Sequence, residues 1–178
     1  MRRVFPAILV LVALSACGSR SDERSSGGWE RLAGSPLTAR TSAVGVWTGH
    51  EVLFVGGTTF TCAPNASCAA PDGPPLSDGA AVDLDANTWR RVSPAPVPVL
   101  DASAAVIGGD VYLLASTDYR DGRGFLRYGV DADRWEELAL PGPTEAGYRL
   151  VAAGGELVAY AALQGNPGSP DLFYELEA

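Results

Sequence analysis

The sequence repeats one pattern three times, and this repeat constrains the fold more than any other feature. Three tryptophans are each followed, three residues later, by an aliphatic residue, in the segments WERL, WRRV and WEEL that begin at Trp29, Trp89 and Trp135. Twenty residues after each tryptophan lies the second residue of a turn pair: Thr48-Gly49, Gly108-Gly109 and Gly154-Gly155. Such a constant spacing indicates that one supersecondary unit is used three times.

Each turn pair lies in a predicted β-hairpin. Small or β-branched residues precede the pair, and an acidic residue and a hydrophobic segment follow it. Two such segments joined by a short, glycine-containing loop are the usual sequence signature of a hairpin. We therefore predict the first strands of the three hairpins over residues 43–47, 104–107 and 150–153.

Each unit also contains two further strands. After a loop of variable length, hydrophobic segments predict third strands over 79–85, 125–131 and 172–177. Tight turns in DANTW and DADRW then lead into a fourth strand that begins with the tryptophan. Four short strands in a period of about 46 to 60 residues are typical of a β-propeller blade.

The combined pattern resembles Kelch-type β-propeller repeats, especially those of secreted bacterial proteins. It consists of W-x-x-L/V, a proline-rich turn, a hairpin ending in Val55-Gly56-Gly57, and a strand with Tyr or Val three residues before an Asp. The resemblance covers residues 29–178 and implies an all-β fold of four-stranded blades, about three in this chain. It further implies that Trp29, Trp89 and Trp135 are structural anchors of the outer strands.

Three blades do not readily close a ring, because propellers usually contain about four to eight. The third unit has no tryptophan strand after 172–177, whereas the Trp29 strand has no unit before it. Two copies could exchange this strand and form a homodimer with a six-bladed ring. Alternatively, the chain is a fragment of a longer propeller.

Residues 1–16 read as a signal peptide. Two arginines precede an apolar stretch of about ten residues, which is too short to span a bilayer. The stretch ends in Leu14-Ser15-Ala16-Cys17, which resembles the lipobox of bacterial lipoproteins. That resemblance implies cleavage before Cys17 and a lipid anchor on its thiol. An ordinary secretory signal cleaved near Ala16 is the alternative, and either reading places the domain outside the cytoplasm.

The rest of the chain is predicted to contain a tether and one domain. Residues 17–28 are rich in Ser, Gly and charge and predict a flexible tether, while 29–178 form the repeat domain. Cys62 and Cys68 lie in TCAPNASC, where an extracytoplasmic location favours a disulfide. The alternative, a metal or redox pair, lacks nearby His or Cys ligands and the CxxC spacing.

Charge and composition argue against several functional classes. The formal net charge is −8 at pH 7, and no basic stripe suited to nucleic acid is present. The chain has one histidine, His50, and no Ser-His-Asp or metal-binding spacing. The Kelch resemblance extends to galactose oxidase-type propellers, but their copper site needs two His and two Tyr ligands with a Tyr-Cys crosslink. We therefore expect no enzyme activity, cofactor or metal, with a propeller enzyme of the galactose oxidase or hydrolase type as the alternative.

The remaining hypothesis is a noncatalytic binding module that presents loops to a ligand. Loops on a rigid scaffold are where binding residues tend to lie. The propeller topology predicts that loops 58–78, 116–124 and 163–170 share one face. The second contains four candidate ligand-binding residues: Tyr119, Arg120, Asp121 and Arg123. The expected ligand is a glycan, a peptide or another envelope protein.

Overall fold

The computed structural model describes residues 28–63, 65–69, 71, 73–140, 142, 148–161 and 172–176. The predicted signal peptide, Cys17, most of the tether and loop 163–170 lie outside these residues. The chain divides into two units, Met1–Arg31 and Leu32–Ala178, and every described strand belongs to the second. In the described part, no helix is long and apolar enough to cross a membrane.

The regular structure of the described residues is entirely β, as predicted. The strands are β1 (Val44–Trp47), β2 (Glu51–Val55), β3 (Gly79–Asp83), β4 (Thr88–Val92), β5 (Leu100–Ile107), β6 (Asp110–Ser116), β7 (Arg123–Gly129), β8 (Arg134–Leu138), β9 (Tyr148–Ala153), β10 (Glu156–Ala161) and β11 (Leu172–Leu176).

These strands form three antiparallel sheets in which each strand pairs with its neighbour in sequence. The first sheet is β1-β2-β3-β4, the second is β5-β6-β7-β8, and the third is β9-β10-β11. All the predicted hairpins and third strands are present, with bounds that differ by up to four residues. The main extension is at the start of β5, where the register with β6 shifts between Leu100 and Ser103.

The first hairpin turn lies one residue later than the sequence spacing predicted. Trp47 pairs with Val52, which centres the turn on Gly49-His50 rather than on Thr48-Gly49. Thr48 is instead paired with Glu51, since its N–H and its hydroxyl both donate to the Glu51 carbonyl, at 2.9 and 3.0 Å. Gly49 alone has a positive φ there, of 112°, as in a type II′ turn. The constant spacing from the tryptophan to the turn in the sequence does not reveal this shift of one residue.

Two apolar clusters join the sheets in sequence order. One, between the first and second sheets, contains the fully buried Leu53, Val55, Leu113 and Tyr128. The other lies between the second and third sheets and includes Leu114, which alternates with Leu113 along β6. The second sheet is therefore covered on both faces. β5 contacts both β1 and β9, so the first strands of the three sheets lie next to one another.

A repeated pair of hydrogen bonds, here called the tryptophan clamp, joins the first sheet and the second sheet to the chain segments that lead into them. Trp135 Nε1 donates to the Ser93 carbonyl at 2.7 Å, and Asp133 Oδ1 accepts from Ser93 N at 2.9 Å. In the first sheet, Trp89 Nε1 and Asn87 Oδ1 bind the carbonyl and N–H of Ala33 in the same way, at 2.9 and 2.7 Å. Ser93 and Ala33 each lie four residues after a tryptophan of the repeat.

The three tryptophans of the repeat differ in their surroundings. Trp89 and Trp135 are the second residues of β4 and β8 and pack against Phe54 and Tyr128, with ring centroids 5.7 and 4.6 Å apart. Trp29 lies outside any strand and is fully exposed, so in this single chain it is not a packed anchor. The reason is its position, because β4 and β8 each follow three strands of their own sheet and Trp29 precedes the first hairpin.

Candidate functional site

One end of the sheets brings together the loops that the sequence analysis favoured. At this end, here called the loop end, β1, β5 and β9 begin, and β2 and β6 finish. The chain between Val55 and Gly79 and the chain between Ser116 and Arg123 therefore both leave the sheets here.

A hydrogen bond fastens these two loops to each other. The hydroxyls of Thr58 and Tyr119 lie 2.6 Å apart, and the Thr58 hydroxyl also accepts from Phe60 N at 3.0 Å. Thr58 is itself held by reciprocal 2.9 Å backbone hydrogen bonds to Thr41. Tyr119, predicted as a ligand-binding residue, thus has a bond that positions one loop against the other.

The second loop is folded around Asp118, which the sequence analysis did not single out. Asp118 Oδ1 accepts from the backbone N–H groups of Arg120 and Gly122 at 2.8 and 3.0 Å. These two bonds lower the pKa of the Asp118 carboxyl. An Asp two residues before the turn is a familiar local signal that could have identified this role.

The other three predicted residues of this loop differ in their contacts. Arg123 Nη1 donates to Ser116 Oγ and to the Gly122 carbonyl, both at 3.1 Å, so it braces the base of the loop. Arg120 and Asp121 are exposed, and the described residues offer neither side chain a hydrogen bond or ion pair. These two are the predicted residues that remain available to a ligand.

The first loop contains the predicted disulfide. Cys62 and Cys68 are bonded, with Cα atoms 6.0 Å apart. The described residues from 61 to 69 are all exposed. The disulfide therefore closes a small projecting loop at the loop end of the first sheet.

A polar cavity lies where the first strands of all three sheets begin. Its volume is about 490 Å³, and its lining residues are Ser42, Ala43, Asp101, Ala102 and Arg149. Ser42 and Asp101 have positive φ values of 55° and 49°, and Asp101 N donates to the Ser42 carbonyl at 3.2 Å. Positive φ is uncommon for residues other than glycine, and such conformations cluster at functional sites. Sequence reasoning missed this cavity because it assembles residues from three different units.

The cavity is lined by one acidic and one basic side chain, Asp101 and Arg149. Within the described residues, Asp101 and Arg149 form no ion pair with one another, and neither side chain has another polar partner. Arg149 offers a planar fork of donors suited to carboxylate, while Asp101 and Ser42 can accept hydrogen bonds from hydroxyl or ammonium groups. The arrangement suits a small ligand that carries both kinds of group.

A buried arginine fixes the first-sheet side of this cavity. Arg40, whose side chain is 6% exposed, donates to both carboxylate oxygens of Asp78 and to the Gly56 carbonyl. The hydrogen bonds from Arg40 hold the pKa of Asp78 below its usual value. Because Arg40 is two residues before Ser42, this ion pair sets the position of the chain entering β1.

The double glycine after the first hairpin has a physical reason in the same region. Gly56 and Gly57 have φ values of 72° and 89°. A Cβ on Gly56 would lie 2.1 Å from the Val99 carbonyl oxygen, and one on Gly57 would lie 2.5 Å from the Thr41 carbonyl oxygen. The second unit has Ala115-Ser116 at this point, and β6 there continues as an extended strand.

Comparison with known proteins does not supply an identity. No family model matches the chain, and no curated protein matches it significantly. Among the described residues, no group of three or more His, Cys, Asp or Glu side chains is arranged to hold a metal ion. The function of the chain is therefore inferred from its own residues.

Proposed function

We propose that this protein is a membrane-anchored, extracytoplasmic Kelch-like β-propeller module that binds a ligand without catalysing a reaction. Three observations support the propeller: three consecutive meander sheets, apolar packing of each sheet on the next, and first strands that lie side by side. In a propeller the first strands of the blades surround the axis. The cavity of Ser42, Asp101 and Arg149 would then lie near that axis.

The cavity is the observation that carries the binding function. A volume of about 490 Å³ is within the usual range for small-molecule sites. Its charged residues, Asp101 and Arg149, lie near the starts of β5 and β9 and are exposed, so a ligand can reach both side chains. The exposed Arg120 and Asp121 belong to a loop at the same end.

The chemistry of the cavity favours an acidic glycan or a short peptide. Arg149 would bind a carboxylate, and Asp101 and Ser42 would accept hydrogen bonds from sugar hydroxyls or a peptide ammonium group. Cofactors are not needed for this role. The net charge of −8 disfavours large polyanions such as nucleic acid, but it does not oppose one local contact with an arginine.

The membrane anchor is the part of the proposal that depends on the lipobox resemblance. A lipid on Cys17 and a tether over residues 17–28 would hold the domain at the cell surface. In cell fractionation, Cys17→Ser should move the protein from the membrane to the soluble fraction. A Cys17→Ser protein that stayed in the membrane fraction would exclude lipid anchoring at this residue.

The binding function is tested by probing arrays of acidic oligosaccharides and short peptides with the purified protein. Any probe that binds is then titrated against Asp101→Asn and Arg149→Gln, for which we expect at least tenfold weaker binding. Asp131→Asn and Arg134→Gln are matched controls, since both residues are exposed at the opposite end of the second sheet. Equal affinities for all four variants would exclude the cavity as the binding site.

A further inference from the structure

We propose that two copies of this chain associate, each covering the outer face of the other's first sheet with its third sheet. This inference names a partner and does not depend on ligand binding, so either proposal can fail alone. It starts from the uncovered faces. In the described part, the second sheet is covered on both faces, whereas the first and third are each packed against a sheet on one face only.

The outer face of the first sheet is apolar and partly open. Trp47 on β1 is 50% exposed and pairs with Val52 on the same face. Further along this face, the rings of Phe54 and Trp89 line a cavity of about 400 Å³ beside the segment that precedes β1. Ala80 and Val82 on the same face are fully buried, so the open part of this face is centred on Trp47.

The outer face of the third sheet carries a pair of valines, which lie between Arg149 towards the loop end and Glu156 towards the hairpin turn. Leu150 and Leu157 point to the second sheet, so strand alternation places Val151 and its pair Val158 on the opposite face. Val151 is 45% exposed. Two of the five large hydrophobic residues that are exposed in the described part, Trp47 and Val151, thus lie on these two outer faces.

The first and third sheets also complement each other, because the third lacks a fourth strand and an unpaired strand-like segment precedes the first. In the described part, the third sheet has three strands, and β11 pairs only with β10. At the other end, Ala33 is held by the tryptophan clamp of the first sheet, just as Ser93 is held after β4. The segment WERL before Ala33 therefore corresponds to a fourth strand, but no described strand pairs with it.

The register of the sheets specifies how this segment would pair. In each sheet, one row of paired residues runs across the strands at the same distance from the hairpin turn. This row is Val52, Val82 and Trp89 in the first sheet, and Val111, Tyr128 and Trp135 in the second. In the third sheet the row contains only Leu157 and Leu176. Trp29 of the other copy would complete the third row opposite Leu176. Glu30 would then lie opposite Glu175.

This pairing extends the tryptophan clamp to the third sheet. Ala139 lies four residues after Trp135, as Ser93 lies four after Trp89. Trp29 of the other copy would donate its indole N–H to the Ala139 carbonyl and lose its exposure. Only one of the two hydrogen bonds of the clamp would form. Asn87 and Asp133 lie two residues before their tryptophans and accept the second bond, but the residue two before Trp29 is Gly27, which has no side-chain acceptor. Two such exchanges are related by a two-fold axis and give a closed set of six sheets.

The test is a cysteine crosslink at the specified register. Glu30→Cys/Glu175→Cys should give a covalent dimer as the main product of mild oxidation. The slipped pair Glu30→Cys/Tyr174→Cys should give at least fivefold less, because a one-residue slip places the two side chains on opposite faces. Crosslinking within one chain, or equal yields for both pairs, would overturn the proposal.

A second pair of variants tests the outer faces. Val151→Arg should raise the concentration needed for dimer formation at least tenfold. Leu84→Arg is the matched control, because Leu84 is also 45% exposed but lies in the turn between β3 and β4. If the cysteine variants fail to fold, the proposal is tested by comparing the sedimentation of Val151→Arg with that of Leu84→Arg. A wild-type monomer, or equal dimerisation of both arginine variants, would contradict the proposal.

Discussion

At the residue scale, single polar side chains hold the loop end in place. Arg40 is buried and binds the Asp78 carboxylate with two of its nitrogens. An arginine out of water is stable only when its charge and donors are paired. This pair was not predictable from sequence, because the two residues are 38 positions apart and belong to no recognisable motif.

Replacing Asp78 should destabilise the protein and change its response to acid. Asp78→Asn leaves the buried Arg40 charge without its partner, and we expect a loss of about 1.5 to 3 kcal/mol at pH 7. Because the pKa of Asp78 is lowered in the folded state, its stabilisation is present above the unfolded pKa and is lost as pH falls through the lower folded-state pKa. Urea unfolding between pH 3 and pH 8 measures both effects.

The control for this prediction is Asp131→Asn, an exposed substitution that should change stability by less than about 0.5 kcal/mol. The acid-dependent loss should be smaller in Asp78→Asn than in the wild type. Parallel pH profiles for the wild type and Asp78→Asn would show that this ion pair does not contribute.

At the element scale, the strand pattern was largely predictable and the contacts between sheets were not. Alternation and turn residues depend on neighbours in sequence, so the hairpins around Gly108-Gly109 and Gly154-Gly155 were located correctly. The tryptophan clamp depends on Asn87 and Asp133 adopting positive φ values of 50° and 45°. Nothing in DANTW or DADRW specifies which distant backbone groups these residues bind.

The tryptophan clamp should contribute measurably to stability. Trp135→Phe keeps a ring beside Tyr128 but removes the N–H that binds the Ser93 carbonyl. An unpaired carbonyl and a smaller ring together predict a loss of about 1 to 3 kcal/mol. Chemical denaturation is the measurement, and Trp47→Phe is the control.

Trp47 is half exposed, so its replacement by Phe should cost less than about 0.5 kcal/mol at concentrations where the chain is monomeric. If Trp135→Phe and Trp47→Phe unfold at the same denaturant concentration, the clamp does not hold the two sheets together.

At the scale of the whole molecule, the candidate site and the association of copies arise from the same arrangement. The cavity of Ser42, Asp101 and Arg149 needs all three sheets to meet at their first strands. The sequence repeat predicted the loops at this end, but it could not predict the cavity, since residues of three units line it. Because the units repeat, the outer face of the first sheet corresponds to the face of the second sheet that packs against the first. The outer face of the third sheet corresponds to the face of the second sheet that packs against the third.

The most direct test of this account is the solution mass of the unlipidated protein, measured by sedimentation equilibrium on the chain with Cys17→Ser. We expect a stable species of twice the mass of the single chain, with one cooperative unfolding transition. A folded monomer across the micromolar range would contradict it, because the outer faces containing Trp47 and Val151 would then stay in water.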